Sequence, residues 1–199
     1  MHAQFLSIAA DLSPALQAAI EHNGPIELAA NQSSPFPDRL CRAVAGQQLS
    51  VRAAETIWGR VVASADGEPL MAYFARVDAA VLKSCGLSRA KVRTVGAIAQ
   101  AASAGQLDAT ELSQLSHAER TERLTMLWGV GQWTADMMGI FYFGDPDIWP
   151  EGDLAARKTL EKLTSARRKT VLTATRFAPY RSILALHMWR AVDTALPVD

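Results

Sequence analysis

Residues 127–144, LWGVGQWTADMMGIFYFG, join a glycine-rich turn to a helix-length segment that is apolar on nearly every side. A helix with no polar face has to lie buried at the centre of a fold. The other segments must then pack around it, and 199 residues supply enough chain to do so without disulfides or metal. Apolar residues make up 49% and charged residues 20%, which fits an ordinary globular protein and excludes a disordered or collagen-like one.

The rest of the chain repeats apolar residues at three- and four-residue steps, and no run of alternating β-branched residues is long enough for a sheet. The fold class read from this pattern is all-α. Pro35 and Pro37 mark the start of a helix, and Leu40, Val44, Val51, Ala54, Ile57 and Val61 form a stripe with a break near Gln47–Ser50, where Ser50 suits the cap of a second helix. Asp78 and Ser88 are candidate N-caps, with Gly86 a stop between them. Ser116 and Glu119 have capping-box spacing, and Asp153 opens LAARKTLEKLTSARRK. Pro179 fits the first turn of the last helix.

Lys and Arg number 20 and Asp and Glu 20, so the chain is formally neutral and does not bind polyanions merely by being basic. Charge is nevertheless uneven. In residues 154–190 nine basic side chains face the single acid Glu161, a net +8 that the remainder cancels. This is either a solvated helix face or a face that meets a polyanion. Cys41 and Cys85 are too few for a disulfide framework or a four-cysteine metal site, and are read as buried thiols. The start MHAQFLSIAADLS has no basic region or long apolar run, and no stretch approaches 18 apolar residues, so no leader and no membrane contact are expected, and the expected location is cytoplasmic.

Gly129 and Gly131 flank Val130 in a turn with helix before and after. Glycines there let successive N–H groups face one side at the start of the next helix, a concavity suited to an anion such as phosphate. Gly129, Val130, Gly131, Gln132 and Thr134 are the candidate contacts; the alternative is a bare connection between two antiparallel helices. Asp153 is either a simple helix cap or an anion placed at a reacting centre, and one residue can fill both roles.

The segment LWGVGQWTA, the loop holding Gly144, Pro146, Pro150 and Gly152, and Asp153 placed 22 residues past Gly131 resemble the helix-hairpin-helix DNA glycosylase superfamily with its glycine/proline-rich loop and essential aspartate. CRAVAGQQLSVRAAETIWGRV, LKSCGLSRAKVRTVGAIA and FAPYRSILALHMWR are similar to segments of alkylpurine glycosylases of the 3-methyladenine DNA glycosylase II type, in the expected order. The resemblance implies a single core over residues 1–199 made of two helical lobes, with the hairpin at 118–144. It also implies hydrolysis of the N-glycosidic bond of alkylated purines in double-stranded DNA, with Asp153 as the catalytic residue. Members that also cut the strand carry a lysine where this chain has Trp133, and no lysine lies between Arg93 and Arg157, so a Schiff base is not expected. Hydrolysis calls for no redox or metal cofactor.

Further roles follow from the resemblance alone. Trp133 and Trp189 are implied beside a flipped base, with Met137 where relatives often have tyrosine; as bare tryptophans, both read equally as core. Gln47, Gln48 and Leu49 lie where relatives insert a side chain into the duplex, unless they are only an exposed loop tip. Carbonyls of Thr125, Leu127 and Val130 are implied to hold a monovalent cation. Trp128 replaces a proline common in the hairpin. His187 reads as a satisfied core histidine. A monomer suffices for one lesion on one duplex. Two alternatives stay open: excision of another purine lesion such as ethenoadenine or hypoxanthine, and a non-catalytic module that uses the hairpin only to bind DNA.

Overall fold

A computed structural model describes residues 1–193, which are helical throughout apart from turns and loops. In chain order the helices are α1 (His2–Leu12), α2 (Pro14–Asn23), α3 (Phe36–Gly46), α4 (Val51–Ser64), α5 (Leu70–Arg76), α6 (Ala79–Ser84) and α7 (Arg89–Ser103). They continue as α8 (Ala109–Gln114), α9 (His117–Thr125), α10 (Gln132–Met138), a π-helical turn (Gly139–Phe143), α11 (Leu154–Leu163), α12 (Thr170–Thr175) and α13 (Arg181–Asp193). None among the described residues is long and apolar enough to cross a membrane.

The chain divides into two compact units, one made of residues 1–30 with the chain from Gly139 on, the other of residues 31–138. In the first, α13 lies against α11 and α2, and α1 pairs with α2. Phe5, Leu16, Ile20, Leu160, Phe177 and Leu184 fill its core, with the Phe5 and Phe177 rings 5.0 Å apart. Complete burial of such a side chain is worth about 1.5–3 kcal/mol. In the second, α7 packs on α3 and α5, and α10 on α9 and α3, burying Phe36, Leu40, Val44, Val95, Ile98, Leu112 and Leu124. Cys41 and Cys85 are buried thiols, and burial pushes the Cys41 thiol well up.

The expected caps form. Ser50 Oγ accepts from Ala53 N, Asp78 from Ala80 N and Ser88 from Lys91 N, and Ser116 with Glu119 completes the capping box. Three expectations need correction. The apolar segment after the glycine turn is not one regular helix: α10 ends at Met138, a π turn follows, and the boundary between the units falls at that junction. Pro179 is not in the first turn of the last helix; its peptide bond with Ala178 is cis and α13 begins at Arg181. The stripe through α4 buries Val61 but leaves Val51 76% exposed, because α4 meets its neighbours along part of its length only. Helices α1 and α2, which supply much of the first core, had gone unread, although Ser13 followed by Pro14 is a helix start and Ser13 Oγ accepts from Ala15 N.

Candidate functional site

The glycine turn of the second unit runs from α9 to α10. Leu127 N donates to Leu124 O (3.1 Å) and Val130 N to Leu127 O (3.0 Å), while the Val130 side chain is buried. Gly129 has φ +82°, and a Cβ there would lie 2.0 Å from Thr94 Oγ1, so any side chain at this position is both strained and crowded. Gly131 needs no such freedom, since its backbone is ordinary and the space about it is open. Ala135 N donates back to Gly131 O, which makes Gly131 and Gln132 the opening amides of α10, ahead of the first intrahelical bond.

Side chains tie this turn in place. Gln47 Nε2 donates to Thr134 Oγ1 (2.9 Å) and Gly129 O (3.3 Å), and Lys91 Nζ donates to Ala45 O (2.8 Å) and Gln47 O (2.7 Å). Burial lowers the Lys91 pKa. Gln47 is therefore turned onto the turn, whereas Gln48, at φ +59°, and Leu49 are exposed. Thr134 is buried, so its hydroxyl serves Gln47 and does not face solvent. Gln132 Nε2 donates to Asp136 Oδ1 (2.7 Å), and His117 Nε2 lies 3.0 Å from that oxygen. Trp133 and Met137, one helical turn apart on α10, are each half-buried.

In the first unit the segment between the π turn and α11 is fastened at both ends by α13. Gly144, at φ +72°, lies so close to Ala30 that a Cβ would meet its N at 2.9 Å. Arg181 grips Asp147 with two parallel bonds, Nε to Oδ1 (2.7 Å) and Nη2 to Oδ2 (3.0 Å), and this guanidinium holds the Asp147 carboxyl below the usual range. Ser182 Oγ donates to Asp145 O (2.7 Å) and accepts from Ile148 N (2.9 Å). Nearer α11, Glu151 accepts from Trp149 Nε1 (2.6 Å) and Thr170 Oγ1 (2.7 Å).

This framing delivers Asp153 to the N-terminus of α11. Its Oδ1 accepts from Ala156 N (2.8 Å), as a cap does, and from Trp189 Nε1 (2.9 Å), while the residue stays partly exposed. Trp189 in turn lies beside Phe141, with ring centroids 5.6 Å apart at 30°. The structure thus brings Asp153 and Trp189 into direct contact, 36 residues apart in sequence. Such a constellation holds a carboxylate at the N–H edge of an indole that itself lies beside a second aromatic ring. His187 is buried within α13, its Nδ1 3.3 Å from Asn23 Nδ2, and burial lowers its pKa to about 4.

Phe141 and the Asp136 network are site features beyond those that the sequence singles out. Asp136 follows Gln132 by four residues, a spacing that signals a helical pair. Phe141 carried no signal, because a π turn sets its direction and Trp189 is far along the chain. Of the nine basic residues in 154–190, Arg157, Arg176 and Arg181 are ion-paired and Arg190 donates to Asn23 O, which leaves Lys158, Lys162, Arg167, Arg168 and Lys169 exposed.

Known proteins resemble this chain in sequence and in fold. Residues 41–178 match the HhH-GPD superfamily base excision DNA repair protein family. DNA-3-methyladenine glycosylase 1 of Schizosaccharomyces pombe is 34% identical over 166 residues, 79% of this chain and 73% of that one. The structure of a 3-methyladenine DNA glycosylase of that yeast in complex with abasic DNA matches with a TM-score of 0.83 at 25% identity, over 98% of both chains. That of a DNA-3-methyladenine glycosidase from Bacillus halodurans matches with a TM-score of 0.79 at 27% identity, over 96% of this chain and 90% of the other. On its fold, its glycine turn and its matched residues, the chain belongs to the HhH-GPD superfamily of base excision DNA repair proteins.

Proposed function

We propose that the chain is a monofunctional DNA glycosylase that hydrolyses the N-glycosidic bond of alkylated purines, 3-methyladenine and 7-methylguanine, and leaves an abasic site in double-stranded DNA. The observation that carries this reading is the Asp153 carboxylate, fixed by Ala156 N and by the Trp189 indole and still open to solvent on one side.

The glycosidic carbon is inaccessible inside the base stack, so the nucleotide has to be turned out of the duplex. Gln48 and Leu49, the exposed residues of the α3–α4 connection, are assigned to the gap it leaves. The opening amides of α10 at Gly131 and Gln132 bind a backbone phosphate, together with the positive end of that helix. Gln47, Gly129, Val130 and Thr134 shape the turn that presents them. Trp133 and Met137 keep their assignment to base recognition.

An alkylated purine carries positive charge in the nucleoside. As the bond to the sugar breaks, its electron pair passes to the ring, the base leaves neutral, and the sugar becomes oxocarbenium-like. No acid is needed to protonate the leaving group. Asp153 stabilises the developing positive charge and takes the proton of the water that attacks the sugar. The Trp189 N–H keeps the carboxylate in place, and the Trp189 and Phe141 rings suit a cationic base. The strand stays intact because Trp133 stands at the lyase position and offers no amine.

Thr125, Leu127 and Val130 would hold a monovalent cation through their carbonyls. The donor set fits one: three neutral oxygens, with Leu127 O accepting Val130 N and keeping a second lone pair. Such a cation would supply positive charge for binding an anion. The chain acts as a monomer in the cytoplasm, and the exposed Lys158, Lys162 and Arg167–Lys169 run strengthen DNA binding in a salt-sensitive way.

The test uses duplexes that each carry one defined lesion, scored for alkali-labile sites. Release of 3-methyladenine or 7-methylguanine supports the reading. Release only of ethenoadenine or hypoxanthine redirects the substrate, binding without release leaves a DNA-binding module, and strand cleavage without alkali contradicts the monofunctional assignment.

A further inference from the structure

Arg93 lies on the solvent side of α7, immediately before Thr94, the residue pressed against Gly129 of the turn. Its guanidinium carbon sits 4.2 Å from the centre of the Trp128 ring. Trp128 is itself 44% exposed, so the pair stands at the surface of the turn. Three neighbouring cations of this unit are held elsewhere. Lys91 is bound to Ala45 O and Gln47 O, Arg120 is buried and donates to Leu112 O, and Arg123 pairs with Glu111. Arg93 has no carboxylate within 4.0 Å among the described residues, although acids and bases are equally numerous in the chain.

A guanidinium held over an indole through its π face keeps its N–H groups, two of which can grip the oxygens of one phosphate. The indole removes rotamer freedom from a long side chain before any ligand arrives. We propose that Arg93, held by Trp128, is a second DNA-phosphate contact beside the glycine turn, one residue of charge added to the neutral amides of α10. It deepens the reading of this turn as a DNA-binding element and rests on it. Trp128, in place of a proline, is then a platform for the arginine.

The experiment measures affinity for a duplex containing a tetrahydrofuran abasic-site analogue at several salt concentrations, for the parent chain, Arg93→Gln, Trp128→Ala, Trp128→Phe and the Arg93→Gln/Trp128→Ala double variant. Arg93→Gln is expected to weaken binding about three- to tenfold and to reduce the slope of log K against log salt by about 1. Trp128→Ala weakens binding less, Trp128→Phe restores most of the loss, and the double variant binds no worse than Arg93→Gln alone. Both side chains are exposed, so melting temperatures near the parent's confirm intact folds. A parent chain that binds duplex while Arg93→Gln keeps its affinity and slope overturns this proposal alone. Additive losses in the double variant overturn the platform role of Trp128. A parent chain that binds no duplex overturns the reading of the turn and this proposal with it.

Discussion

Asp136, in α10 of the second unit, is 3% exposed, and its Oδ1 accepts from Gln132 Nε2 and lies 3.0 Å from His117 Nε2. Asp153, at the start of α11 in the first unit, accepts at Oδ1 from Ala156 N and Trp189 Nε1 but remains partly exposed. Both carboxylates take two donors, yet the consequences diverge. The partners of Asp136 come from the two helices that flank the glycine turn, so its charge is spent in joining them. The partners of Asp153 fix its position while solvent still reaches the residue. Under the proposed function one aspartate serves structure and the other chemistry, and burial separates them.

The largest effect expected is that of Asp153→Asn. Asparagine can still cap α11, so the fold should survive, while excision of 3-methyladenine falls about 10²- to 10³-fold. Duplex affinity should stay within about threefold of the parent. Single-turnover assays on a lesion duplex check this, and excision within tenfold of the parent would break the comparison from its chemical side.

Gly129→Ala comes next, with a loss of about 3 kcal/mol in urea denaturation, because a Cβ would meet Thr94 Oγ1 at 2.0 Å in a left-handed backbone. Gly131→Ala meets open space and should cost under about 0.5 kcal/mol. Asp136→Ala should then cost about 1–2 kcal/mol, since it removes the buried acceptor shared by Gln132 Nε2 and His117 Nε2. The folded variant should keep excision within a few-fold of the parent. A stable Asp136→Ala protein with lost excision would reverse the roles assigned to the two aspartates.

The two regions also differ in how much of them the sequence disclosed. Caps at Ser50, Asp78, Ser88, Ser116 and Asp153 were legible because a cap is a local hydrogen bond within three residues. So were the all-helical class and the glycine turn. What was hidden depends on long separations or on a shift of helical register. The Trp189 bond to Asp153 spans 36 residues, and the meeting of Phe141 with Trp189 depends on a π turn that apolar periodicity does not announce. Gln47 was placed correctly at the helix break, but its direction, onto Thr134 and Gly129, is a tertiary fact.

A pH experiment separates the units again. His187, on the helix that fastens the Asp153 loop, has its pKa lowered by burial from 6.5 to about 4, helped by His2 and Arg190. The unfolded chain therefore binds one more proton than the folded one between these values, and stability rises with pH across that window. The contribution is fully present above pH 6.5 and drains away as pH falls towards 4, by roughly 2 kcal/mol. Urea denaturation at pH 7.5 and 5.0 should show the loss in the parent and a smaller one in His187→Gln; equal losses would remove His187 as the cause.

The smallest effect tests the contact that distinguishes Asp153 from a mere cap. Trp189→Phe keeps a ring against Phe141 and removes only the N–H that reaches Asp153 Oδ1. A hydrogen bond to a charged group is worth about 1.5–3 kcal/mol, and water can replace part of it at a partly exposed carboxylate. Excision should therefore fall about tenfold, near 1.4 kcal/mol, with stability changed by less than about 1 kcal/mol. Trp189→Ala removes the ring as well and should raise the lesion concentration needed for half-maximal rate, which Trp189→Phe should leave nearly unchanged. Orientation of the carboxylate and stacking on the base then appear as separate losses, the first in the chemical step and the second in binding. If Trp189→Phe excises at the parental rate, Asp153 is held without the indole N–H, and the indole serves the base only.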